Sequence, residues 1–133
     1  VEPAYAVGRV GDNGGSQPSL QAIFDAIAWS NGVDGESGTA DDLRIGRVPA
    51  RWSVAPRNDQ AKSDEDKRFA GQMGKDDGVF TPAAAGPNPE RRFQTNNAGN
   101  LTVTAAVDQD GQAIQGEGHL MVTVQRWNNP PIR

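Results

Sequence analysis

The stretch Leu101-Thr102-Val103-Thr104-Ala105-Ala106-Val107, continued by Asp108-Gln109-Asp110-Gly111, decides the fold class. Leu101, Val103, Ala105 and Val107 occupy every second position and alternate with Thr102, Thr104 and Ala106. A strand sends successive side chains to opposite faces, so this period sets one apolar face on a core and one polar face toward water. The Asp-x-Asp-Gly run then turns the chain, and residues 119–127 return with Leu120, Val122 and Val124 on one side. The two arms are a predicted hairpin whose return strand opens at His119.

Outward from that hairpin the texture is the same. Sixteen glycines and nine prolines divide 133 residues into short apolar stretches, a pattern of strands and turns. Residues 4–10 are a candidate strand closed by Gly11-Asp12-Asn13-Gly14-Gly15. Residues 20–30 fit two patterns. Leu20, Ala22, Phe24, Ala26 and Ala28 alternate as in a strand, while Leu20, Ile23, Phe24 and Ile27 form a helical stripe. The strand-like neighbours favour strand. Leu43, Ile45 and Val48 precede Pro49, and Trp52 is expected to be buried in a middle strand. Residues 59–67, rich in charge, are expected as a solvated loop or short surface helix. Lys75-Asp76-Asp77-Gly78 reads as a hairpin turn, and residues 83–100 as a long irregular connection. The expectation is an all-β sandwich of about seven strands in two sheets, a single domain over residues 1–133.

Charge and composition exclude several functions. Seventeen acidic against 13 basic side chains give a net charge of −4, which does not suit a nucleic-acid binder. No apolar run approaches the roughly 20 residues of a membrane helix. Cysteine is absent, so the chain has no disulfide, thiolate nucleophile, iron–sulfur cluster or covalent haem attachment. One histidine, His119, makes a histidine-rich metal site or a conventional Ser-His-Asp machine hard to build. A chain opening on Val1 is expected of a processed or excised piece, whether a separate chain or a domain.

The candidate sites are few. Asp34, Glu36, Asp41 and Asp42 lie in one turn-rich acidic loop and are a candidate oxygen ligand set for calcium. The loop lacks EF-hand spacing, and the competing reading is a polar turn whose Asp side chains cap backbone N–H groups. His119 is a lone imidazole, better read as a satisfied surface or rim residue than a proton shuttle. Asp41/Asp42 and Asp76/Asp77 are neighbours along the chain and point apart, which makes them poor acid–base pairs. Trp29, Trp52 and Trp127 are scattered singly and read as core and interface packing. Asn88, Arg91 and Arg92, in Pro87-Asn88-Pro89-Glu90-Arg91-Arg92, combine stiff backbone with amide and guanidinium groups. With Arg126 and Trp127 of the tail they are the candidate docking residues. The competing reading is a stiff loop packed on its own domain.

Several runs together carry a resemblance. They are Gly38-Thr39-Ala40-Asp41-Asp42, Ala50-Arg51-Trp52-Ser53, Phe69-Ala70-Gly71 and Gly78-Val79-Phe80-Thr81-Pro82. Ala85-Gly86-Pro87-Asn88-Pro89-Glu90-Arg91, Asn96-Asn97-Ala98-Gly99-Asn100-Leu101 and Val122-Thr123-Val124-Gln125-Arg126-Trp127 complete the series. The chain resembles, over nearly its whole length, the C-terminal immunoglobulin-like domain of the quinohemoprotein amine dehydrogenase alpha subunit. The resemblance implies an immunoglobulin-like sandwich of Greek-key topology in a periplasmic complex that oxidises primary amines and passes electrons to haem c. It implies as partners the other alpha-subunit domains, a propeller beta subunit and a gamma subunit carrying cysteine tryptophylquinone. The family's Cys-x-x-Cys-His haem motifs are missing here, so no catalytic residue carries over, and haem and quinone are expected elsewhere in the complex. The expected role is structural and non-catalytic. The alternative is a secreted sandwich that binds carbohydrate with the help of calcium.

Overall fold

Alternation of buried and open side chains runs over residues 99–105 and 118–123 of the hairpin in the computed structural model, which describes residues 1–11, 18–33, 35, 38, 40 and 42–124. The chain forms β1 (Tyr5–Arg9), β2 (Ala22–Ile23), β3 (Ala26–Ser30), β4 (Leu43–Val48) and β5 (Arg51–Pro56). Two short helices follow, α1 (Asp59–Ser63) and α2 (Asp66–Phe69). Then come β6 (Gly71–Met73), β7 (Val79–Pro82), β8 (Gly99–Gln109) and β9 (Gln112–Thr123). Among the described residues these strands make sheets of order β1-β9-β8-β5, β2-β7-β6 and β3-β4. Among the described residues nine strands in three hydrogen-bonded sheets stand where about seven in two were expected. The all-β sandwich class stands.

The large sheet turns Trp52, Val54, Leu101, Val103, Ala105, Leu120 and Val122 inward, and Ala22, Phe24, Ala26 and Phe80 meet them across the core. Phe24 and Trp52 touch with ring centroids 6.3 Å apart. Each fully buried Leu or Phe contributes about 1.5–3 kcal/mol by leaving water. The buried positions Ala22, Phe24 and Ala26 are two apart, which resolves residues 20–30 as extended chain. That segment breaks at Phe24-Asp25 and changes partner, from β7 to β4. Phe24 N donates to Gly78 O at 2.9 Å, and Asp25 exchanges two backbone bonds with Glu2. The break is why one predicted strand becomes two.

Three further expectations need correction. The return strand begins at Gln112, so His119 lies in mid-strand rather than at its start. The register runs without a slip from Gly99↔Val122 to Gln109↔Gln112, closed by Asp110-Gly111 alone. Continuous ladder bonding carries the glycine-bearing stretch before His119, whose own residues are weak strand formers. Trp52 is buried, but on the edge strand β5 rather than a middle one. Its backbone N–H is satisfied by Lys75 O at 2.8 Å, across from the sheet. Residues 59–67 form α1, capped by Asn58 Oδ1 on Ala61 N at 2.8 Å, and the start of α2. They are not all solvated, because Asp66 is buried.

The Lys75–Gly78 turn joins β6 to β7 as expected, with Gly74 N bonded to Val79 O at 2.8 Å. Gly78 has φ +69°, and a Cβ there would lie 2.5 Å from Phe24 O and 2.9 Å from Trp52 Cε2. Only glycine meets both demands. Gly111, at φ +81°, has open space around it. Gly78→Ala is therefore expected to destabilise the fold by about 2–4 kcal/mol in urea unfolding, from backbone strain plus overpacking. Gly111→Ala should lose only the strain, about 1–2 kcal/mol. Equal losses would show that the contact with Phe24 and Trp52 carries no energy.

Candidate functional site

Arg91, expected at a docking surface, is instead spent inside the domain. It is 8% exposed, and its Nη2 donates to Asp66 Oδ1 at 2.7 Å and to Asp64 O at 3.1 Å. Its Nη1 donates to Asn96 O at 3.0 Å and Ala98 O at 2.8 Å, and its Cζ lies 5.3 Å from the centre of the Phe69 ring. The other oxygen of the Asp66 carboxylate accepts from Asn100 N at 2.9 Å. One buried pair thus joins α2, the 83–98 connection and the start of β8. Gly99 lets the helix approach, since a Cβ there would be 2.8 Å from Ala70 Cβ. The planar fork of arginine suits this role, because it satisfies several acceptors at fixed angles.

Asn88 also turns inward. Its Nδ2 donates to Asn97 Oδ1 at 2.9 Å and its Oδ1 accepts from Glu90 N at 2.9 Å. Asn97 reaches Ala84 O, and Asn96 Oδ1 accepts from Gly86 N, so asparagine side chains pin the long connection. Of the three candidate docking residues described here, Arg92 alone is exposed. Its guanidinium carbon lies 4.9 Å from the centre of the Phe93 ring, and Phe93 is 82% exposed at φ +59°. Phe93 was not singled out from sequence, and an arginine beside an aromatic on a Pro-rich loop was the signal available. Arg126 and Trp127 lie outside the described residues.

His119 sits on the outer face of the large sheet, opposite Tyr5 on β1 and Thr102 on β8. Its Nε2 is hydrogen-bonded to Asn100 Oδ1, and the Tyr5 ring meets its edge at 5.0 Å. Burial, then the positive charge of Arg57, holds its pKa below the ordinary 6.5. An amide partner and a depressed pKa suit a neutral, satisfied imidazole. Of the candidate calcium ligands only Asp42 is described, and its Oδ2 accepts from Gly38 N at 2.7 Å, as a polar turn requires. Asp34, Glu36 and Asp41 lie outside the described residues. Among the described residues no three His, Asp or Glu side chains gather as a metal site.

An apolar groove lies elsewhere. Between the β3–β4 ribbon and the far end of the β8–β9 hairpin runs a groove of about 420 Å³, lined by Trp29, Ala26, Val48, Val107, Ile114 and Val1 among others. Trp29 is 52% and Ile114 50% exposed, and Leu43 and Ile45 stand open on the same ribbon. The charged side chain of its lining, Asp108, is paired with Arg51 at 2.8 Å. That contact holds Asp108 below, and Arg51 above, their usual pKa values.

Two measurements test these assignments. Arg91→Ala leaves the Asp66 carboxylate buried without its cation and should lose about 3–5 kcal/mol in chemical unfolding. Arg92→Ala, on the exposed neighbour, should stay within about 0.5 kcal/mol of the parent. For His119 the sign follows from its depressed pKa. The unfolded chain takes up the proton first, so stability falls as pH drops below about 6.5 toward the lower folded value. Unfolding curves at pH 7.5 and 5.5 should differ less for His119→Asn than for the parent, and equal differences would refute the assignment.

No curated protein matches the chain. A family model described as quinohemoprotein amine dehydrogenase, alpha subunit domain IV, matches residues 1–132. The chain belongs to that family and is a domain of an amine dehydrogenase alpha subunit, part of an oxidoreductase complex.

Proposed function

We propose that this domain is a non-catalytic assembly element of a periplasmic quinohemoprotein amine dehydrogenase. The parent complex, in this reading, deaminates primary amines oxidatively and delivers the electrons to haem c. The domain helps hold the alpha subunit in place beside a propeller beta subunit and a gamma subunit bearing cysteine tryptophylquinone. One observation carries the reading: a family match over residues 1–132 in a chain without a single cysteine.

The residues present do not fit either redox group. A c-type haem is attached through two cysteine thiols with histidine on the iron, and the quinone is built on a cysteine. This chain has no thiol, and its one imidazole is bonded to Asn100. The strand order supports the immunoglobulin-like expectation. β1 lies parallel to β9 at one edge, and β5, β8 and β9 are antiparallel neighbours. Exposed Trp29, Ile114 and Phe93 are side chains of the kind that anchor protein contacts.

The test is made on the native complex and on an alpha subunit from which residues 1–133 are deleted. The native complex should contain haem-bearing and quinone-bearing chains. The truncated subunit should keep its haem, read by absorbance per chain, while recovery of beta and gamma subunits and amine turnover fall together. Loss of haem with assembly intact would assign the domain a redox role and overturn the proposal. So would a native assembly without haem or quinone.

A further inference from the structure

We propose that Asn31 is a site of self-catalysed covalent modification, in which the backbone nitrogen of Gly32 closes on the Asn31 side chain and expels its amide as ammonia. The inference goes beyond the assembly reading and does not depend on it. Three observations single out this asparagine among the described residues.

The first is the fate of the other asparagine side chains. Asn58 Oδ1 caps Ala61 N at 2.8 Å, and Asn96 Oδ1 accepts from Gly86 N at 3.2 Å. Asn88 Nδ2 donates to Asn97 Oδ1 at 2.9 Å, and Asn100 Oδ1 is bonded to His119. Each of those amides must break a bond before its carbon can turn toward the following nitrogen. Asn31 is exposed, and its side chain has no such bond to break.

The second is the residue that follows. Ring closure joins the side-chain carbon of asparagine to the next backbone nitrogen, and a Cβ on that next residue crowds the approach. Asn58, Asn96, Asn97 and Asn100 precede Asp59, Asn97, Ala98 and Leu101, all of which carry a Cβ. Asn88 precedes Pro89, which has no N–H to give up. Asn31 precedes Gly32, which leaves the nitrogen unhindered.

The third is the backbone. The β3–β4 ladder closes at Ser30↔Leu43, so Asn31 and Gly32 lie just past its end. Gly32 has φ +72°, and its N–H donates to Ser30 Oγ at 3.3 Å, longer than an ordinary amide bond. The attacking nitrogen is therefore loosely held.

The step balances with water as its co-reactant. Gly32 N gives its proton to solvent and bonds to Asn31 Cγ, while the Cγ–Nδ2 bond breaks and ammonia leaves. Water then opens the resulting succinimide at either carbonyl, which yields aspartate or isoaspartate at position 31 with no change in oxidation state. The product adds one negative charge beside Trp29, in a stretch that already carries Asp34, Glu36, Asp41 and Asp42. Isoaspartate also lengthens the main chain by a methylene at the ribbon's end.

The experiment incubates the intact protein in mildly alkaline, heavy-oxygen water and locates the label by peptide fragmentation that separates aspartate from isoaspartate. Heavy oxygen should enter at position 31 as a mixture of the two, severalfold faster than at Asn58, Asn88, Asn96, Asn97 or Asn100. Asn31→Gln should abolish the label there, and Gly32→Ala should slow its entry about tenfold by crowding the nitrogen. Because alanine at φ +72° also strains the turn, labelling of the parent protein decides the matter by itself. An unlabelled position 31, aspartate without isoaspartate, or a rate no greater than at the bonded asparagines would each overturn the proposal.

Discussion

The buried pair of Asp66 and Arg91 is the constraint around which the irregular half of the molecule is organised. Two charges withdrawn from water carry a desolvation cost of several kcal/mol each, and only dense hydrogen bonding offsets it. Here the guanidinium meets Asp66, Asp64, Asn96 and Ala98, while the second carboxylate oxygen takes the N–H of Asn100. The elements joined are a four-residue helix and a connection with little ladder of its own, neither stable in isolation. Loss of either partner would leave the other charge buried, so the pair acts as a latch rather than an ornament on the surface.

The regular half follows a different logic. Seven large side chains, from Val10 to Val122, are sealed between sheets, and the ladder of β8 with β9 runs over eleven consecutive pairs. Glycines appear where backbone must come close, at Gly78 under Trp52 and at Gly99 under α2. The N-terminal segment then links the layers, bonding to Asp25 on one side and passing into β1 beside β9 on the other. Trp29, Leu43 and Ile45 of the β3–β4 ribbon and Ile114 of β9 stay open to solvent, as do Tyr5, Val7, Leu20, Ile23 and Phe93 on other parts of the surface.

Fold class was legible from residues 99–109 because a half-buried strand writes its burial in a period of two. The alternation Leu101, Val103, Ala105 in sequence is the alternation of buried positions in space. The hairpin turn at Lys75–Gly78 was legible for an equally local reason, the positive φ that glycine accommodates. Residues 20–30 were ambiguous, since Leu20, Ile23, Phe24 and Ile27 satisfy a helical stripe as well. The partner strands decide it, and no local propensity announces the switch at Asp25 from β7 to β4.

What the sequence by itself determined is the β-rich class and, through the absence of cysteine, the exclusion of covalent haem and thiol chemistry from this chain. Those conclusions depend only on side-chain period and elemental inventory. Tertiary structure alone decided that Asp66 and Arg91, both charged and 25 residues apart, are interior rather than surface groups. It also decided that Trp29 lies open beside Val1 while Trp52 is sealed under Gly78. A residue's type fixes what burial would cost it, but its neighbours in space fix whether that cost is met, and those neighbours come from distant parts of the chain.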